Sequence, residues 1–405
     1  MIPSVDSVVA SAFSRRSFFR FAAGASALAS LPILTESHLA LAQRPQFADP
    51  NKGIHIDANE NPLGPSEGAR QAIVDIVPRG GRYLFNLEMD LAETFAKQEG
   101  LDPETVKVFA GSSDPLHYTV LAFTSKDRPL VIADPGYEAP MWAAKASGAQ
   151  VIKVPLADPK GEAKHDVKAM LSASATPGVI YICNPNNPTG TCTPRADIEH
   201  LVANAPKDTV ILIDEAYIHL CTEPQSLDFV KEGKNVIVLR TFSKLYGMAG
   251  IRMGFAIGRK DLIAKYQYFG QNSMPVTALV AAKASLMDKD LVPTRRKIIG
   301  DTRMDTLAWL KSQGYAVTPS ESNCFMLDVR RPGRQVMAGM AAKDIYIGRI
   351  WPAWPTQVRI TVGTHDEMVA FRKAFTEVMA APATAGLEPP RLPGRLAETP
   401  FTHMS

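Results

Sequence analysis

The sequence has few cysteines, little net charge and no long apolar run after its first 45 residues. None of its four cysteines stands in a C-x-x-C or other metal-like spacing, and neither they nor the eight histidines indicate a metal site. We expect buried free thiols; the alternative is a disulfide, which an oxidising compartment would permit and whose pairing the sequence does not define. A net charge of +3 is too small to indicate a nucleic-acid-binding or membrane-surface protein. No stretch after residue 45 is long and apolar enough to span a bilayer.

What is present is an ordinary globular composition, 46% hydrophobic and 21% charged. A length of 405 residues exceeds one typical core, so it predicts a large domain together with a smaller one.

The N-terminal segment differs from the rest of the chain. "SRRSFFRFAAGASALASLPIL" contains the pair Arg15 and Arg16, followed by a weakly apolar run and then "ALAQ" at 40–43. This order predicts a twin-arginine signal peptide over residues 1–42, cleaved after Ala42, and therefore use of the twin-arginine export machinery and a periplasmic location. Such export moves folded proteins, which favours a protein with a bound cofactor. The alternative is an amphipathic first helix.

Short β-branched runs alternate with helical segments between residues 105 and 257. Most of the runs are continuously apolar, as in strands that are buried on both faces. We therefore predict an α/β fold whose large domain holds a mostly parallel, seven-stranded sheet between helices. The seventh run, 252–258, follows without a helix and is expected to run antiparallel. The first six runs are 105–110, 129–134, 150–155, 178–183, 209–214 and 235–240.

The C-terminal third has a different pattern. A helical stretch from Val276 to about Gln313, interrupted near Pro293, leads into three short strands and a last helix over 365–379. An Ala-, Pro- and Gly-rich end predicts disorder. The predicted division after the signal is an N-terminal arm 43–78, a large domain 79–290, a small α/β domain 291–381 and a tail 382–405.

Polar residues follow several predicted strands, where ligands of open α/β sheets bind. Gly111 after the first strand permits a tight turn, and Ser112, Ser113 and Asp114 lie at a helix start, where N–H and hydroxyl groups can bind a phosphate. A plain helix cap is the alternative.

Two later strand ends carry further candidates. Asn187 stands in the rigid turn "NPNNPTG", which aims its amide. Asp214 ends the strand 209–214, where its carboxylate can reach an aromatic ring nitrogen, and Tyr217 can reach a neighbouring oxygen. Each residue alone is a weak signal.

The segment "TFSKLYGMAGIRMGF" follows the sixth strand. Lys244 is a candidate nucleophile toward an aldehyde, and Thr241, Ser243 and Arg252 can hold a phosphate beside it. Small residues follow the lysine and leave room for a ligand. Phosphate, ring-nitrogen, ring-oxygen and aldehyde partners in this order match pyridoxal 5′-phosphate (PLP), whose ring becomes an electron sink when a carboxylate holds its nitrogen protonated.

With these motifs the chain resembles a fold-type I, PLP-dependent aminotransferase of class I/II, closest to the histidinol-phosphate aminotransferase branch. The resemblance covers about residues 54–380, including "DANENPLGPS" and "SKLYGMAGIR". It implies that Tyr83 reaches the cofactor phosphate of a neighbouring subunit, so that a homodimer is the active unit. It also implies that Tyr137 stacks on the cofactor ring, that Arg359 binds the substrate carboxylate and that Asn323 lies near that carboxylate.

The substrate is less closely defined. Arg349 stands where the family's phosphate-recognising arginine would lie, but Trp351 and Trp354 beside it favour a flat or apolar side chain. We therefore predict an aminotransferase for aromatic or other bulky L-amino acids and a 2-oxo acid, in which Lys244 forms the Schiff base and moves the proton. The alternatives are histidinol phosphate as substrate, another PLP reaction (decarboxylase, lyase, racemase or oxidase), and a non-catalytic binding protein, which the presence of Lys244 and Asp214 disfavours.

Overall fold

The structure is a computed structural model that describes residues 33–44, 52–269 and 272–382. Two predicted segments fall partly outside the described residues. These are the signal peptide, including its arginine pair Arg15 and Arg16, and the tail, of which residues 383–405 are not described. Within the described part, no helix combines the length and the apolar character that crossing a membrane requires.

A seven-stranded sheet forms the centre of the α/β fold, with strand order β2-β8-β7-β6-β5-β3-β4. Strand β8 runs antiparallel to both of its neighbours, and all other neighbouring pairs are parallel. The predicted mostly parallel sheet and the antiparallel seventh strand are confirmed. The strands are β2 Val106–Phe109, β3 Leu130–Asp134, β4 Val151–Pro155, β5 Val179–Cys183, β6 Val210–Asp214, β7 Val236–Thr241 and β8 Gly254–Gly258.

Both faces of the sheet are covered. Along β6, Ile211 and Ile213 belong to one buried apolar cluster, whereas Val210 and Leu212 belong to the cluster on the opposite face. This explains the continuously apolar strand sequences, since alternate side chains point to opposite faces. The helices of the described chain are α1 Glu36–Gln43, α2 Glu67–Ile76, α3 Asn86–Glu99, α4 Ser113–Phe123, α5 Ala139–Ser147, α6 Val167–Ser172, α7 Arg195–Asn204, α8 Leu227–Lys231, α9 Lys260–Ile263, α10 Val276–Met287, α11 Leu291–Ser312, α12 Gly333–Ala341 and α13 His365–Ala380.

The C-terminal part contains two small sheets. Strands β9 (Cys324–Asp328) and β11 (Gln357–Thr361) pair antiparallel. Strand β10 (Ile345–Ile347) pairs in parallel with β1 (Ile54–Ile56), a strand of the N-terminal arm that the sequence did not predict. The arm is therefore joined to the C-terminal part by backbone hydrogen bonds.

The long helical stretch is interrupted at 288–290 rather than at Pro293, because proline is tolerated in the first turn of α11. The four cysteines are free, as expected; Cys183, Cys221 and Cys324 are buried and Cys192 is half-buried. Among the described residues there is no group of three or more His, Cys, Asp or Glu side chains that could hold a metal ion.

Candidate active site

A cavity of about 270 Å³ opens at the carboxyl ends of the central parallel strands. Cys183, Asp214 and Thr241, the last residues of β5, β6 and β7, line it. Because parallel strands end at the same edge of a sheet, side chains far apart in sequence meet here.

One wall of the cavity consists of hydroxyl and guanidinium groups. Ser112 and Ser113 lie at the start of α4, where the first N–H groups have no partner within the helix. Thr241 Oγ1 donates to Ser243 Oγ over 2.9 Å. Arg252 Nη1 donates to the same Ser243 oxygen over 3.3 Å. These groups converge on one place and can bind an anion such as a phosphate.

Gly111 is required for this wall to form. Its φ of +92° lies in the left-handed region, and a Cβ at this position would overlap the guanidinium group of Arg252. Asp114, in the first turn of α4, does not line the cavity. Burial raises the pKa of Asp114, and the charge of Arg252 opposes the shift.

The amine of Lys244 is buried in the cavity, with 8% of the residue exposed. Its Nζ atom lies 3.4 Å from the carbonyl oxygen of Ala58 and 5.6 Å from the ring centroid of Tyr217. Burial lowers the pKa of Lys244, and the charge of Glu36 offsets that effect only in part. A lowered pKa increases the neutral fraction of the amine, which is its nucleophilic form.

Asp214 is a buried carboxylate, and none of the residues that the structure describes places a cation in contact with it. Its two oxygens accept hydrogen bonds from the hydroxyl group of Tyr181 (3.0 Å) and from the N–H group of Ala216 (3.1 Å). Burial raises the pKa of Asp214 to about 6, although both hydrogen bonds and the charge of Lys244 lower it. A cation bound beside Asp214, such as a protonated ring nitrogen, would stabilise its ionised form.

Two tyrosines complete the cavity above the sheet. Tyr137 follows β3, and Tyr217 follows β6. The hydroxyl group of Tyr217 accepts a hydrogen bond from Asn59 Nδ2 (3.0 Å), and Asn59 Oδ1 in turn accepts one from Thr361 Oγ1 (3.0 Å). The N-terminal arm and β11 therefore fix the position of the phenol.

The other end of the site holds a carboxylate from the chain itself. Arg359 Nη1 donates to Asn187 Oδ1 (2.9 Å), which orients the arginine and the amide together. Glu36, at the start of α1, accepts from Arg359 Nη2 (2.8 Å) at one oxygen and from Asn187 Nδ2 (3.0 Å) at the other. The arrangement is a built carboxylate-binding site.

Arg349 lies against the same carboxylate. Its Nη2 atom donates to Glu36 (3.2 Å), and its Nη1 atom donates to both oxygens of Glu138 (3.0 and 3.2 Å). Its guanidinium carbon is 4.6 Å from the ring centroid of Trp351, which itself donates to the carbonyl oxygen of Gly136 (2.9 Å). Arg349 thus has two carboxylates and one indole ring as partners.

Comparison with known proteins identifies the family. Residues 51–375 match the family described as aminotransferase class I and II. The chain belongs to this family. Its sequence is 32% identical over 336 residues to a histidinol-phosphate aminotransferase of Moorella thermoacetica, covering 81% of this chain and 86% of the relative. It is 31% identical over 341 residues to an aromatic amino acid aminotransferase of Mycolicibacterium smegmatis, covering 82% and 91%.

Solved structures agree with this assignment. A histidinol-phosphate aminotransferase from Sinorhizobium meliloti in complex with PLP superposes with a TM-score of 0.75 at 25% identity, covering 91% of this chain and 98% of that one. A putative histidinol-phosphate aminotransferase from Erwinia carotovora atroseptica gives 0.77 at 31% identity, covering 80% and 95%. The protein is a PLP-dependent aminotransferase, which confirms the predicted enzyme class, cofactor and fold.

The residues of the aminotransferase fit its cofactor. The hydroxyl and guanidinium wall, which a Cβ at position 111 would obstruct, suits a phosphate. The buried carboxylate of Asp214 suits a cationic ring nitrogen, and the amine of Lys244 suits an aldehyde.

Some of the predicted residues lie elsewhere in the aminotransferase. Asn323 does not line the cavity; its amide donates to the carbonyl oxygen of Asn59 (3.1 Å) and so holds the N-terminal arm. Trp354 packs on a small cluster around Leu156, outside the cavity. Tyr83 is 72% exposed and stacks on Phe85, away from the cavity of its own chain.

Other residues of the site were missed. Glu36 falls within the predicted signal peptide, and Glu138 directly follows Tyr137, which was expected to stack on the cofactor ring. No local sequence pattern relates either glutamate to Arg349 or Arg359. The hydrogen bond of Tyr181 to Asp214 follows from strand pairing, since Tyr181 lies on β5 and Asp214 on the adjacent β6. Asn59 stands in the recognised motif "DANENPLGPS", which was the available signal.

Proposed function

We propose that the aminotransferase transfers the amino group of an aromatic or other bulky L-amino acid to a 2-oxo acid. The observation that carries the proposal is the buried amine of Lys244, which shares one cavity with the carboxylate of Asp214 and adjoins the forked site at Arg359. When bound, PLP supplies an aldehyde and a ring that withdraws electrons from the substrate's α-carbon.

Each of the chain's own groups has a role in this proposal. Arg359 and Asn187 hold the α-carboxylate of the substrate by a forked contact. Lys244 would take the proton from the substrate's α-carbon as a base and, as an acid, donate it to the cofactor carbon that carried the aldehyde. Asp214 would pair with the ring nitrogen and Tyr217 with the ring oxygen, while Tyr137 would stack on the ring. Phosphate binding falls to the following residues: Ser112, Ser113, Thr241, Ser243 and Arg252.

The surroundings of Arg349 support a substrate without a phosphate group. Its guanidinium is already paired with Glu138 and packed on Trp351. A phosphate dianion that approached Arg349 would meet the carboxylate of Glu138, and repulsion between like charges would oppose binding. The relatives named aromatic amino acid aminotransferases support the same choice, while those named histidinol-phosphate aminotransferases make that substrate the second candidate.

Substrate preference is tested by comparing kcat/KM for phenylalanine, tyrosine and histidinol phosphate with 2-oxoglutarate as acceptor. We expect either aromatic amino acid to exceed histidinol phosphate by at least about tenfold, roughly 1.4 kcal/mol of differential transition-state binding. A tenfold advantage for histidinol phosphate would contradict the argument from Glu138. Release of carbon dioxide or ammonia, or racemised substrate, would indicate one of the other PLP reactions.

The variant Glu138→Gln provides a matched test of the same argument. Because it removes the charge that opposes a phosphate and keeps the side-chain shape, it should raise kcat/KM for histidinol phosphate relative to phenylalanine.

We further propose that the protein is exported through the twin-arginine machinery. The proposal rests on Arg15, Arg16 and the "ALAQ" site of the sequence. The double variant Arg15→Lys, Arg16→Lys should stay in the cytoplasm, folded and loaded with PLP, whereas Arg20→Lys, outside the pair, should be exported normally. Fractionation followed by detection of the protein decides between them, and export of the double variant would refute the proposal.

We also propose a two-fold homodimer as the active unit. Tyr83 and Phe85 are 72% and 71% exposed and stack on each other, and Val74, Val77 and Met89 nearby are exposed too. So much exposed apolar surface in one region marks an interaction site. A second copy is the partner that the family resemblance implies, with Tyr83 reaching its phosphate site.

Sedimentation equilibrium should give twice the chain mass. Tyr83→Ala should weaken PLP binding by about tenfold or more, the effect of losing one hydrogen bond to a charged group, while Met304→Ala, another exposed apolar residue, should not. A fully active monomer would refute the proposal.

A further inference from the structure

The segment 34–42 places a carboxylate in the site that a substrate carboxylate would need. Glu36 contacts Arg359 Nη2 (2.8 Å) and Asn187 Nδ2 (3.0 Å) with separate oxygens, and it also contacts Arg349 (3.2 Å). Arg359 and Asn187 are the two groups to which the proposed function assigns the substrate's α-carboxylate. One forked site cannot hold two carboxylates, so Glu36 and the substrate exclude each other.

The segment is docked by more than this contact. Leu34 and Leu39 are buried in the same apolar cluster as Tyr137, beside the cavity. Thr35 begins the helix α1, and its N–H group donates to His38 Nδ1 (3.3 Å). The buried leucines therefore hold the helix start, and with it Glu36, at the arginines.

Glu36 remains charged under ordinary conditions. Burial by itself would raise its pKa, but the charges of Arg349 and Arg359 outweigh that effect and lower the pKa of Glu36 to about 2. The ion pairs are therefore present above the ordinary pKa of a glutamate and are lost only as the pH falls through about 2. Neutral or mildly acidic solution does not release the segment by protonation.

The residues after Ala42 are attached to the protein independently of Glu36. Gln43, the next residue, exchanges two hydrogen bonds with the backbone of Ile350 (3.0 and 3.2 Å). Arg44 forms a forked pair with Asp57 (2.8 and 2.9 Å). A cut after Ala42 would remove Glu36 and its buried leucines, while Gln43 and Arg44 would keep their own attachment to the protein.

We propose that residues 34–42 are an internal competitor of the substrate, in which Glu36 occupies the carboxylate site until the segment leaves. The inference rests on the proposed function for the identity of that site. Removal of the segment by the export cleavage opens the site permanently; in the uncut chain, the substrate must displace it. The uncut enzyme therefore binds carboxylates weakly and turns over at full rate once they are bound.

The test uses the full, PLP-loaded chain and two carboxylates without an amine, 3-phenylpropionate and glutarate, which cannot react. Calorimetric titration should show at least about tenfold tighter binding of one of them to Glu36→Ala than to the parent, because a tethered competitor acts at a millimolar effective concentration. Leu39→Asp, which undocks α1 and keeps Glu36, should give the same gain. Leu41→Ala, an exposed position on the same helix, should give none.

Kinetics provide a second readout. In Glu36→Ala the KM for the amino donor should fall by a similar factor with kcat within about twofold, since a competitor affects binding of substrate and not the bound complex. Unchanged or weaker carboxylate binding in both variants, or a fall in kcat with unchanged KM, would overturn the inference and make Glu36 part of the site's wall. Tighter binding without any transamination would leave the inference standing and refute the proposed function instead.

Discussion

Lys244→Ala is expected to lower kcat by at least about 10⁴-fold, the upper range of the contribution of one general acid–base group. Lys244 has the buried amine with a lowered pKa in the cavity that also holds Asp214, so the variant loses both the nucleophile and the proton carrier. Steady-state assays with the best donor measure the loss. Lys283→Ala, which removes a half-exposed amine paired with Asp90, should retain activity.

The same residue should carry the cofactor. Borohydride reduces the imine formed by an amine and an aldehyde to a stable amine. Peptide mapping of the reduced protein should then find the pyridoxyl group on Lys244. A pyridoxyl group on a different lysine would end the assignment, and the kinetic loss would then need another explanation.

Asp214→Ala is expected to retain PLP but to lower kcat by about 10²-fold or more, because roughly 2.7 kcal/mol of charge stabilisation at the ring nitrogen is lost. Asp214→Asn should lose nearly as much, since it keeps the shape but not the charge. Tyr181→Phe removes only a hydrogen bond to the carboxylate and should cost less than about tenfold. Near-normal turnover in Asp214→Ala would mean that Asp214 has only a structural role at the end of β6.

The pH dependence of PLP binding also tests the contact between Asp214 and the ring nitrogen. With the pKa of Asp214 raised to about 6 by burial, the cofactor-free protein takes up a proton at this carboxyl as the pH falls through that value. The neutral form cannot pair with a ring cation, so affinity for PLP should fall by about tenfold between pH 7 and pH 5 through this group. In Asp214→Ala this fall in PLP affinity should be absent. The variant therefore distinguishes titration of Asp214 from titration of the cofactor itself.

The sheet could be predicted from the sequence because its signals are local. The six β-branched runs became β2 to β7, and the seventh became the antiparallel β8. Strand β1 was missed for the opposite reason. Three residues, Ile54–Ile56, carry no pattern of their own, and they form a strand only because Ile345–Ile347 lies beside them. Pairing over such a distance leaves no local trace in the sequence.

The residues of the site fall into the same two groups, those with a local sequence signal and those without one. Lys244, Asp214 and Thr241 could be placed together from sequence because each follows a recognisable strand, and parallel strands end at one edge. The partners of Arg349 could not, since nothing local relates it to Glu138 or Glu36. Likewise the sequence suggested Trp351 and Trp354 as one pocket wall, but two residues of separation turned Trp354 away to a different cluster.

The link between the arm and the C-terminal part constrains when the protein can finish folding. Asn59, which holds Tyr217, is itself bonded to Thr361 over a separation of 302 residues. At about 5–20 residues per second, a ribosome takes roughly 15 to 60 s to make that length of chain. During this time Ile54–Ile56 has no strand to pair with, and the nascent arm stays available to chaperones. Only a chain that extends past Thr361 can form this contact, so a translation product that ends before Thr361 is expected to be inactive even when its central sheet is whole.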